Sequence, residues 1–178
     1  MSRQHHSGFT VIEFIAVIVV IGIISVVTIS RFVSGNAMNA LVIRDNIITF
    51  SRAGQQRALG RESVELLVQP NVGGTELTMT LSDMNGAIES KSFSLRDVAI
   101  AADINDTDSC GVTPGATSLT NANALSLTYT SLGDLGDSGI TGSEAAIDEA
   151  VRVCINGSAA LSVCIAPSGF AYIGDCDD

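Results

Sequence analysis

Basic charge is scarce in most of this chain. From Glu62 onward only Lys91, Arg96 and Arg152 stand against 17 acids, a balance of −14 for that stretch. Recognition of a phosphate backbone relies on clustered Lys and Arg, so no nucleic-acid partner is expected. Histidine is confined to His5 and His6, and no Cys-x-x-Cys pair occurs. The ordinary zinc patterns are therefore excluded. There is no Gly-x-Ser-x-Gly elbow, no phosphate loop and no legible set of nucleophile, base and orienting group. Neither an enzyme activity nor a cofactor is expected. Proline is missing before Pro70, so no proline-forced break is written into a helix upstream of it.

Charge is also missing from Phe9 to Ser30, apart from Glu13. A spanning helix needs roughly 20 apolar residues. This run is too long for the core of a secretory signal peptide, and no small-residue cleavage site closes it. Val and Ile dominate all its faces, which suits lipid better than a one-sided core. The sequence thus predicts a membrane-spanning helix, its N-terminus held in the cytoplasm by Arg3 and the two histidines. A carboxylate within such a run is costly. Glu13 either reaches back to water or serves to meet a positive partner.

Beyond Arg31 the helical pattern continues. Ala40, Ile43, Ile47 and Phe50 make one apolar stripe, with Arg44, Asp45, Ser51, Arg52, Gln55 and Gln56 on other faces. Gly60 is a helix stop, and Gly54 suits a close approach to a strand. A helix from Phe9 to Leu59 would run about 77 Å. The remainder reads as β. Strands are expected over Val64–Gln69, Thr75–Ser82, Ser92–Leu95, Ala124–Thr130, Val151–Ile155, Leu161–Ala166 and Phe170–Ile173, from apolar alternation and turn residues. Two polar stretches, Asp103–Asn123 and Ser131–Ser143, read as long loops and as the surfaces facing partners. The fold class expected is α+β, a long N-terminal helix, membrane-spanning in its first half, packed on an antiparallel β-sheet head.

The four cysteines, Cys110, Cys154, Cys164 and Cys176, point to two disulfides in an oxidising compartment. Three connectivities are open. Cys154 and Cys164 flank a turn near Ala159 and are placed to face each other across a hairpin, which leaves Cys110 for Cys176. Asp103, Asn105, Asp106 and Asp108 alternate oxygen ligands in a way that suits Ca²⁺ weakly; a solvated acidic loop is the plainer account, since no glycine sits at the sharp turn and no glutamate closes the loop.

The run "GFTVIEFIAVIVVIGIISVV", starting at Gly8, resembles the N-terminal signature of type IV prepilins and type II secretion pseudopilins. "SRAGQQRALGRESVELLV", starting at Ser51, is similar to the end of the helix and first strand of minor pilins, including the GspH/FimT group and the mannose-sensitive haemagglutinin (MSHA) pilus system. The resemblance implies a leader at 1–8 removed between Gly8 and Phe9 by a prepilin peptidase, with Phe9 then N-methylated. It implies a filament-core helix at 9–30, an amphipathic helix at 31–60 packed on the head, and a head at 61–178. Glu13 would meet the Phe9 amine of a neighbouring subunit, with Thr10 and Gly22 as further assembly positions. The chain would be held in the inner membrane, head in the periplasm, and then enter an extracellular pilus as a minor subunit for initiation or adhesion. A minor pseudopilin of a type II secretion system and a membrane-tethered periplasmic binding module are the alternatives.

Overall fold

The computed structural model describes residues 11–32, 35–61, 63–104, 110 and 116–176, with the side chains of 24–37 not among them. The chain divides into two compact units, one ending at Gly35 and the other spanning Asn36–Asp178.

The first unit holds α1, Val11–Phe32. The second begins within α2, Gly35–Ala58. The single helix expected from Phe9 to Leu59 is therefore two helices. Residues 33–34, between the two, lie outside the described residues. The membrane-spanning first half is also corrected. Among the described residues no helix is long and apolar enough to cross a membrane.

In the second unit the expected stripe forms. Ala40, Ile43, Ile47 and Phe50 are buried, together with Ile48 and Ala58. Helix α2 stops where Gly60 takes a φ of 69° and donates its N–H to the Ser131 carbonyl at 2.9 Å. Glycine reaches that conformation without steric cost, which is why the helix ends there.

The single antiparallel sheet expected for the head is two antiparallel sheets. Strands β1 (Val64–Pro70), β2 (Glu76–Asp83), β3 (Gly86–Ser94), β6 (Leu125–Tyr129), β7 (Asp137–Ile140) and β8 (Ala145–Ala146) form the first, in the order β3-β2-β1-β6-β7-β8. Strands β4 (Ala99–Asp103), β5 (Thr117–Ser118), β9 (Val151–Asn156), β10 (Ala160–Ile165) and β11 (Ala171–Ile173) form the second, in the order β11-β10-β9-β4-β5. Strand β4 makes the difference, leaving its predecessors and pairing with β9 from Ala99↔Asn156 to Asp103↔Arg152.

Alternation then sets the core. In the first sheet Leu66 faces Leu81 and Leu127, Val68 faces Met79 and Leu125, and Val64 faces Tyr129. All are buried. In the second, Val153 faces Val163 and Ala102, and Ile155 faces Ile100, giving a second apolar face. Both faces and the α2 stripe belong to one hydrophobic cluster.

Ser51 corrects the helix reading, because it is fully buried rather than on a solvent face. Its hydroxyl bonds the hydroxyl of Tyr129 at 2.5 Å. Burial pushes the Tyr129 phenol well above its ordinary pKa, with the Ser51 bond working in the opposite direction. One turn on, Gly54 lets the helix lie close to the sheet. A Cβ there would fall 2.9 Å from the Tyr129 ring and 3.1 Å from Leu81. Alanine is the better helix former by about 1 kcal/mol. The clash decides the sign, since the Tyr129 ring is sealed in the core with its hydroxyl engaged and cannot withdraw cheaply. Gly54→Ala is expected to destabilise the second unit by about 1–3 kcal/mol in urea unfolding. An unchanged or higher midpoint would show that the helix shifts freely over the sheet.

Candidate functional site

Helix α1 owes its form to an unbroken run of good and moderate helix formers with no glycine before Gly22. Every described side chain on it, Val11 through Ile23, is exposed. Val11 is 78% exposed, Phe14 63% and Ile23 63%, and the values between do not fall on one side of the helix. A helix apolar all round is one made to be covered by something else. Glu13 lies in its first turn. There a negative charge is favoured by the helix dipole. Gly22 has nothing within 4 Å of a built Cβ, so its small size is not required by its own fold. Gly8, Phe9 and Thr10 lie outside the described residues.

The two disulfides form, but not in the pairing expected. They join Cys110 to Cys154 and Cys164 to Cys176, with Cα separations of 5.2 Å and 5.1 Å. The expected Cys154–Cys164 and Cys110–Cys176 bonds fail for a reason of register. The β9–β10 hairpin pairs Asn156 with Ala160, so Cys154 faces Ser162 and Cys164 faces Arg152. Cys154 and Cys164 share one face of the sheet as diagonal neighbours. Diagonal side chains stand about 7–8 Å apart, beyond the reach of a disulfide. Each cysteine instead ties an outside segment to its own strand. Cys110 is brought over β9 and Cys176 over β10. The tied face opposes the apolar one, yet Cys154, Cys164 and Arg152 on it are buried.

The same face gathers charge. Arg152 on β9 lies opposite Asp103 on β4, and both are buried. The Arg152 Nε also comes within 3.9 Å of the Asp175 carboxylate. Buried charges are tolerated when opposite charges and donors surround them. Asp103 is thus part of a strand rather than the first residue of a loop, and it faces a guanidinium. Asn105, Asp106 and Asp108, the rest of the weak calcium candidate, lie outside the described residues. Among the described residues, no group of three or more His, Cys, Asp or Glu side chains is placed to hold a metal ion.

Strands β5 and β7 lie inside the two stretches read as loops. Both are short, and β7 is "DSGI", with Ser138 and Gly139 buried. The signal for it is the small residue rather than an apolar alternation. The Ser138 hydroxyl accepts the Thr128 N–H at 3.0 Å.

Compared with protein-family models, with curated proteins and with solved structures, the chain matches none of them.

Proposed function

We propose that this chain is a minor structural subunit of a type IV pilus-type filament, joined to other subunits through α1. The observation that carries this reading is the exposed, all-round apolar helix with one carboxylate in its first turn, directly behind the Gly8–Phe9 junction. Burying a Val, Ile or Phe side chain is favourable by about 1.5–3 kcal/mol each, so such a helix drives lateral association. Apolar contact alone would not select an axial position. The Glu13 carboxylate supplies that selection by meeting the amine that cleavage creates at Phe9 of a neighbour. Before assembly the chain resides at the inner membrane in this reading, with prepilin peptidase as its processing partner. The disulfide-bonded second unit fits an oxidising compartment.

The processing step is the direct test. Mass spectrometry of the protein isolated from its native envelope is expected to find an N-terminus at methylated Phe9. An intact Met1, or cleavage within the apolar run, would remove the basis for the reading.

A further inference from the structure

We infer that the outer edge of β3 is a self-complementary pairing surface, on which a second copy of this chain adds its own β3 in antiparallel register. The inference is independent of the filament reading. Strand β2 pairs with one side of β3, and among the described residues no strand pairs with the other. Proteins usually blunt such edges by keeping them short. Here β8, β5 and β11, the other sheet-end strands, run only two or three residues, while β3 runs nine. All nine residues of β3 except Phe93 are exposed. The irregularity against β2 lies at Leu81/Ser82, so Glu89 to Ser94 remains a regular stretch with a bare edge.

The residues on that stretch choose the partner. Lys91 is the only lysine in the chain, and Glu89 is two residues before it on the same face. Antiparallel pairing about Ser90 sets Glu89 opposite Lys91 of the second copy and Lys91 opposite its Glu89. Centring the pair on Lys91 or on Glu89 would instead stack that residue on itself. Opposite charges across a strand pair are favourable and like charges are not, so the Ser90 register is selected. Two-fold symmetry makes the contact isologous and closed. Ser90 and Ser92 are already bonded to Thr80 and Thr78 at 3.0 Å, which holds the strand flat on its other face. Within one copy, Glu89 contacts Arg57 at 3.1 Å and Lys91 contacts Asn46 at 3.4 Å. These partners rise from α2 and leave the strand edge open. The acidic balance of the head opposes association at long range, so the pair is weak and salt raises it to a maximum before screening the local charges.

Lys91 being unique makes the test specific. Unlabelled and ¹⁵N-labelled full-length chains are mixed in mild detergent, treated with a carbodiimide and digested. The Lys91–Glu89 cross-linked peptide is expected with its mixed-isotope form as abundant as the two single-isotope forms together. Single-isotope forms alone would mean a bond within one strand and would overturn the inference. In sedimentation equilibrium, Glu89→Lys should weaken association roughly tenfold or more, since two favourable pairs become two repulsive ones. The double variant Glu89→Lys with Lys91→Glu should restore it. Loss of the Arg57 contact persists in both variants, so a purely intrachain role for Glu89 predicts no restoration. Association equal to wild type in the single variant, or no recovery in the double, leaves the edge to some other occupant and refutes pairing between copies.

Discussion

Glu13→Gln is expected to leave the second unit folded and the chain processed, yet to lower its incorporation into filaments about tenfold or more. The substitution keeps size and hydrogen-bonding capacity and removes only charge. Residue 13 belongs to the unit ending at Gly35, whereas the core of the second unit begins at Ala40. Nothing in that core senses the change. What is lost is attraction to the Phe9 amine of a docked neighbour, which leaves a desolvated cation without its counter-charge. Removing one member of a desolvated pair is more damaging than the net worth of the pair, because the remaining charge is stranded. The ratio of filament-bound to unassembled subunit, measured beside wild type, reads the effect. Glu13→Asp keeps the charge with a shorter reach and should fall between the two. An unchanged ratio for the glutamine variant would show that α1 docks by apolar contact alone.

The second large effect is expected from the disulfides, and it should be unequal. Cys110–Cys154 closes 44 residues and Cys164–Cys176 closes 12. If the bonds act by restricting the unfolded chain, removing the first costs about 4 kcal/mol and the second about 3 kcal/mol. Either loss is large for a unit this size, where net stability is about 5–15 kcal/mol. Paired Cys→Ser variants of each bond, unfolded in urea, give the comparison. Hydrogen exchange should then locate the loosening, over β9 in one case and over β10 in the other. Stabilities equal to wild type in both variants would mean that the tied segments hold by packing without their bonds.

The parts of the fold that were legible in the sequence are those where periodicity and burial agree. The Ala40–Ile43–Ile47–Phe50 stripe, the close approach at Gly54, the stop at Gly60 and the alternating β2 and β6 all follow from patterns that one face of an element imposes. What was hidden depends on pairing between distant segments. "AIAAD" carries too little alternation to announce β4, and it is β4 that splits the strands into two sheets. Ser51 reads as surface because it is polar; only the arrival of Tyr129 from another strand gives its hydroxyl a buried partner. The cysteine pairing turned on where the β9–β10 turn is centred. A turn centred on Ser158 rather than Ala159 moves Cys154 and Cys164 from opposite to diagonal positions. At the candidate site, Glu13 was conspicuous because a lone charge in an apolar run has no pattern to hide in. The opposition of Arg152 and Asp103 was not, since neither residue stands out until the β4–β9 register is known.

The bond between Ser51 and Tyr129 also gives the protein an optical reporter. The chain has no tryptophan and two tyrosines. One of them, Tyr172, is partly open to solvent on β11, and the other is sealed at the contact of α2 with the first sheet. The near-ultraviolet signal therefore divides between a surface phenol that follows the solvent and a core phenol that follows the helix. When alkali is added, the core ring keeps its proton as long as α2 stays seated, because burial holds its phenol well above the ordinary range. The ionisation of the core ring thus reads a single contact without any label being introduced.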